Sequence, residues 1–333
     1  MSHMKQRSAL GRIVYLFIAI FCVGAAVFLV SNKQYVVDQL NVWQFTPSSA
    51  VTSLADRSGM NDTGKFYFYA SHPSIDSAQT FNKECVQKES TMAILGCYNG
   101  QSIYIYNVTD ARLDGIQEVT AAHEMLHAAY ARMGDSEKQQ VDALLETEYN
   151  KLKEDKDFAD RVAFYERTEP GERDNELHSV IGTEIPNTTP ELEAHYKKYF
   201  SDRSKVVALH TKYASVFTSL EQQSQTLSDQ LTRLGNQIES DSAAYNTHVS
   251  QLNADIQAFN AKANNGGFAT EAEFQSERAA LVARATQLDS DRAAVNSLVD
   301  QYNALRQKLE SIASQSDALN RSINSSLAPA PSL

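Results

Sequence analysis

The chain has 333 residues, with 30 Lys and Arg against 41 Asp and Glu, and a formal net charge of −11 at pH 7. That length holds one or two domains plus accessories, and a hydrophobic share of 42% lets much of it fold. The acidic balance, with no long Lys/Arg block, excludes nucleic acid as a partner.

Ile13 to Val30 is an apolar run without a charge. At about 1.5 Å per residue it just spans a hydrocarbon core. Lys5, Arg7 and Arg12 precede it and Lys33 follows. The positive-inside bias therefore predicts a cytoplasmic segment 1–12, a transmembrane helix 13–30 and an extracytoplasmic remainder. A cleaved signal peptide is the rival, but no small-x-small site follows Val30, so the reading favours an uncleaved anchor. Residues 31–64 are mixed and polar and read as a linker with one short helix. Trp43 and Phe45 are placed to pack near the membrane surface or on the next domain.

A domain over 65–203 comes next. Lys65 to Ala70 is aromatic, bounded by Gly64 and Ser71-His72-Pro73, and reads as a strand. Thr91 to Tyr98 and Ser102 to Val108 are two further strand candidates, and Asn99-Gly100 between them is a hairpin turn signal. The fold class expected is α+β, with a small antiparallel sheet ahead of a set of helices. Cys85 and Cys97 lie in this region, either as a disulfide or as two core thiols.

Leu113 to Met133 is Ala-rich, with apolar residues at helical steps, and Gly134 is placed to end it. It carries His123-Glu124-Met125-Leu126-His127. On a helix, positions i and i+4 share a face, so both imidazoles can reach one metal ion, while Glu124 can hold a water on that metal. An amphipathic helix follows over Asp135 to Lys156, then a weakly helical stretch over Phe158 to Arg167, a short helix over Arg173 to Gly182 that Gly182 ends, and another helix over Pro190 to Phe200. Glu169-Pro170-Gly171 reads as a loop. A catalytic zinc site takes three protein ligands and leaves one position open. Glu176, Glu184 and His178 are the candidates for the third. His72, His195, His210 and His248 show no ligand spacing.

The His-Glu-x-x-His helix, the strand before it and Asn175-Glu176-Leu177-His178-Ser179 together resemble the gluzincin branch of the zincin metallopeptidases, over some 80 residues. In that family a downstream helix often supplies the third ligand from an Asn-Glu-x-x-Ser sequence, which implies Glu176 here. The metzincin pattern is excluded because Met133 stands where its third His belongs. Val180 stands where gluzincins often carry an Asp that braces a ligand imidazole. The resemblance implies Zn2+ as cofactor, Glu124 as general base, and Tyr165, His178 or Tyr196 as donor to the oxyanion. It also implies that Ser102 to Val108 is the edge strand to which a peptide substrate adds.

From Ser204 onward, apolar residues fall at three-, four- and seven-residue steps through Phe259 and resume from Phe274 to Ile323. Asn264 to Phe268 forms a Gly-containing break between them. This predicts an antiparallel coiled-coil hairpin over 204–326, with pairing between chains as the alternative, and a disordered tail 327–333. The function expected is a membrane-anchored extracytoplasmic zinc metallopeptidase acting on a peptide or protein substrate. The alternative is a non-catalytic envelope scaffold whose hairpin binds a protein partner or a second copy.

Overall fold

The computed structural model describes residues 9–85, 93–168 and 170–327. Lys5 and Arg7, the first two residues of the strand expected from Thr91, Glu169 of the expected loop and the tail after Leu327 lie outside these. The elements in order are α1 (Ala9–Ser31), α2 (Lys33–Gln44), α3 (Ser49–Arg57), α4 (Asp62–Ala70), β1 (Ser74–Asp76), α5 (Ala78–Glu84), β2 (Gly96–Tyr98) and β3 (Ile103–Tyr106). A 3-10 turn, Ala111–Leu113, leads into α6 (Ile116–Ala131), α7 (Asp135–Leu152), α8 (Lys156–Thr168), α9 (Arg173–Glu184), α10 (Pro190–Tyr196), α11 (Ser204–Asn264) and α12 (Glu271–Ile323). The chain divides into two compact units, 1–216 with 320–333, and 217–319.

In the first unit, α6 is the centre of the core. Its residues Val119, Ala121, Ala122, Met125, Leu126, Ala128 and Ala129 are buried in one cluster with α3, α4, α9, α10 and β3. The small alanines let neighbouring elements approach closely. The sheet has the order β1-β3-β2. β2 pairs antiparallel with β3, with Cys97 opposite Tyr104, whereas β1 pairs parallel, with Ile75 opposite Ile105. The expectation of an antiparallel sheet is therefore corrected to a mixed one. The cause is a short strand at Ser74–Asp76, too brief to leave a periodic pattern.

Lys65 to Ala70, expected as a strand, is the body of helix α4. Asn61 caps it, its side chain accepting from the backbone N–H groups of Thr63 and Gly64 at 3.0 Å, which stabilises a helix start. Phe68 is fully buried in the core and Tyr67 packs against it. Core packing overrides the aromatic β preference.

The 31–64 stretch, expected as a linker with one short helix, carries α2 and α3 and the start of α4, and its Val51, Leu54, Ala55 and Met60 belong to the core. Gly182 does not end α9, which continues to Glu184. A Cβ at Gly182 would lie 2.5 Å from Leu126 Cδ1 and 2.7 Å from Tyr196 Cε1, so this glycine serves close packing of α9 on α6. Cys85 and Cys97 form a disulfide with their Cα atoms 5.8 Å apart, fastening the end of α5 to β2.

α1 is long and apolar enough to cross a membrane. Its window Val14–Ser31 has a mean hydropathy of 2.6 and no buried residue.

The second unit is a helical hairpin whose arms run antiparallel. Lys262 near the turn bonds Glu273 and Glu277, both at 2.7 Å. Phe259, Phe268 and Phe274 pack there at 5.2 Å between ring centroids. Further along, Asp255 pairs with Arg284, and Gly235 faces the Tyr302 ring.

Candidate metal centre

The candidate site is built by α6 and α9. One helical turn places His123 and His127 on the same face of α6, with their Nε2 atoms 3.0 Å apart. Glu176, in the first turn of α9, closes the group. Its Oε1 lies 3.4 Å from His127 Nε2 and its Oε2 3.6 Å from His123 Nε2. These three residues form a cluster that could hold a metal ion.

The donor set fits a metal on two further grounds. A tetrahedral site with bonds of ~2.0 Å separates its ligand atoms by about 3.3 Å, close to the spacings above. Glu176 is buried, yet its Oε2 has no hydrogen-bond partner, an arrangement that costs free energy unless a cation satisfies it.

Protonation suits the same role. Burial lowers His123 below its ordinary value, against the raising effect of Glu176, so its ring is neutral at pH 7. Burial alone would raise Glu176, but the facing His127 and His123 hold it below its usual range. A neutral imidazole and an ionised carboxylate are the metal-binding forms.

His127 is held from behind. Its Nδ1 lies 2.9 Å from Asn175 Oδ1 and 3.2 Å from Ser179 Oγ. Asn175 Nδ2 in turn donates to Glu172 Oε2 at 3.0 Å, which orients the amide with its oxygen toward the imidazole. The ring therefore carries its proton on Nδ1 and turns a lone pair from Nε2 into the cluster. Asn175, Glu176 and Ser179 thus all converge on the site.

The other third-ligand candidates are engaged elsewhere. Glu184 pairs with Arg161 and lies 3.3 Å from His210 Nε2. His178 is fully buried, with Nε2 2.9 Å from His195 Nε2. Of the expected oxyanion donors, Tyr196 is buried and donates to the His178 carbonyl at 2.8 Å, so it and His178 belong to the core. Tyr165 lines the cleft. His210, on α11, meets Glu184 through the fold, a contact that no sequence spacing reveals.

The cleft, about 560 Å³ in volume, is lined by His123, Glu124, His127 and Glu176 on one side and by residues 93–100 on another. The strand along it is β2, at the sheet edge; β3, expected in that position, is the central strand. β2 lies very close to α6. A Cβ at Gly96 would be 2.6 Å from Glu124 Oε1 and 2.6 Å from Thr120 Cγ2, so only glycine admits this approach. No family model, curated protein or solved structure matches the chain.

Proposed function

We propose that the chain is a zinc-dependent metallopeptidase of gluzincin type, anchored by α1, with its catalytic unit on the extracytoplasmic side. The observation that carries this reading is the convergence of His123, His127 and Glu176, with Glu124 beside them on the wall of one cleft. The Cys85–Cys97 disulfide supports an oxidising compartment. The uncharged run Ile13 to Val30 of α1, with Lys5, Arg7 and Arg12 before it, supports the orientation.

His123, His127 and Glu176 would hold the zinc. Once bound, the ion supplies Lewis acidity, polarising a carbonyl and lowering the pKa of a water toward ~7. Asn175 and Ser179 keep the His127 ring turned into the site. A peptide adds along the outer edge of β2, its scissile carbonyl facing Glu124. Glu124 takes the proton of the attacking water and passes it to the departing nitrogen. Tyr165, on the cleft wall, offers its hydroxyl to the developing oxyanion.

The test is metal analysis with a peptide-library digest of the full-length protein in detergent. About one zinc per chain is expected in the wild type and in Glu124→Gln, and a weakened content in Glu176→Ala. Hydrolysis is expected from the wild type alone. A wild-type protein that holds no zinc after metal-replete purification overturns the reading. One that holds zinc but cuts nothing makes the chain a binding scaffold.

A further inference from the structure

Helix α2 turns one of its two charged residues, Asp38, toward the protein, while Val37, Leu40 and Trp43 face out. Asp38 is buried and accepts two hydrogen bonds from Arg132 at the end of α6, at 2.7 and 2.9 Å. Asn41 Nδ2, nearby on the helix, donates to the Ala70 carbonyl at 3.2 Å. On the opposite side, Val37, Leu40 and Trp43 recur at three-residue steps, with Val36 beside them. They are 40%, 45% and 74% exposed for Val37, Leu40 and Trp43. The exposed polar residues Lys33 and Gln44 flank this stripe at the two ends of the 12-residue helix, and an exposed apolar stripe centred on a Trp is unusual on a water-facing surface.

Two features say what covers this face. It continues directly from the exposed apolar surface of α1, one residue away. Trp is also the residue type enriched where a protein meets the headgroup layer. Asn32 between the helices leaves helical geometry, with φ −116° and ψ 26°, so α1 and α2 are separate helices with a bend point between them, although Val36 N–H still donates to the Asn32 carbonyl at 3.0 Å.

We propose that the Val37–Leu40–Trp43 face of α2 beds into the headgroup boundary of a lipid bilayer, so that α2 lies along the membrane surface. The proposal rests on the anchored reading of α1 and goes beyond it. Lipid contact then sets the attitude of the cleft, because Asp38 ties α2 to Arg132, which also donates to the Tyr98 hydroxyl at 3.1 Å. The geometry gives a sharp criterion. If α2 stood upright on α1, Trp43 would lie ~18 Å beyond Ser31, outside a polar layer roughly 5–8 Å thick. Lying flat, Trp43 is inside that layer.

Trp43 is the only tryptophan in the chain, so its fluorescence reports this position alone. The full chain is reconstituted into phosphatidylcholine–phosphatidylglycerol vesicles containing lipid brominated near the headgroup end of the acyl chain. Flotation with the vesicles is measured in parallel. Expected are a blue-shifted emission, loss of most of it with the brominated lipid, and little quenching by aqueous iodide. Leu40→Glu should shift the emission to the red and restore iodide quenching without loss of flotation. If the chain floats while Trp43 is quenched by iodide and untouched by brominated lipid, the proposal fails and the anchor stands. Protection from both quenchers means a protein covers the face and overturns the proposal equally. A chain that does not float overturns the anchor and this proposal together, leaving the zinc reading to its own test.

Discussion

Asn175 Oδ1 accepts from His127 Nδ1–H at 2.9 Å, and the Asn175 amide is itself oriented by Glu172. A ligand imidazole braced in this way loses little freedom on binding metal and presents the correct tautomer. Asn175→Ala is therefore expected to weaken zinc binding by about 10–100-fold, read by competition against a fluorescent chelator. Unchanged affinity would show that Ser179 alone suffices to hold the ring.

Gly96 makes room for Glu124. Gly96→Ala puts a methyl group against the Glu124 carboxylate and the Thr120 side chain. The strand or the carboxylate must shift, and a displacement of ~1 Å at a reacting centre costs about 100-fold in rate. Zinc content should stay near that of the wild type while hydrolysis falls, a split that separates a catalytic effect from unfolding.

The Cys85–Cys97 bridge ties β2, the cleft wall, to α5 across 12 positions. Replacing both cysteines by serine should lower stability by ~2–4 kcal/mol. Thermal melts of wild type with and without reductant, beside the double variant, measure it. Coinciding melts for all three samples would contradict the bridge.

Acid should weaken the first unit before it touches most carboxylates. Burial pushes His195 and His210 down to about 4, against about 6.5 in the unfolded chain. Between those values the unfolded chain binds protons that the folded chain does not, so stability falls as pH falls from ~6.5 toward about 4 and is fully present above that window. The expected loss is on the order of 1–2 kcal/mol per histidine at about pH 5. Urea titrations on chelator-treated protein isolate this from zinc loss. His195→Gln should flatten the slope.

Arg132 and Asp38 are both almost fully buried. Removing one partner strands the other charge, so Arg132→Met should cost ~3–5 kcal/mol. Arg132→Met with Asp38→Asn should recover part of it. Chemical denaturation of the single and double variants decides.

The parts of this molecule that were legible in the sequence are those in which short-range spacing encodes contact. His123 and His127 meet because i and i+4 share a helix face. The Asn264–Phe268 break between heptads marks the hairpin turn. The Asn175 to Ser179 sequence points to Glu176, and Asn175 and Ser179 of the same five residues brace His127. What escaped depends on partners far away in the chain. The aromatic run before Ser71 prefers strand locally, but Asn61 caps it and the core takes Phe68. Residues 31–64 look like a spacer because the partner of Asp38 is Arg132, 94 positions on. The parallel β1–β3 pairing rests on three-residue contacts that no periodicity announces.

The return of the chain after α12 has a topological consequence. Ser325 is buried against α5, donating to Asn82 Oδ1 at 2.6 Å, while Asn82 Nδ2 donates to the Ser325 carbonyl at 3.2 Å. Residues 320–333 belong to the same compact unit as 1–216. The hairpin is thus an insertion with both roots in one unit, not a tail hung from it. Cutting the chain at the turn would strip Ser325 from Asn82 and damage the unit meant to be kept. Excising 217–319 and rejoining the roots with a flexible linker is the edit that the topology supports.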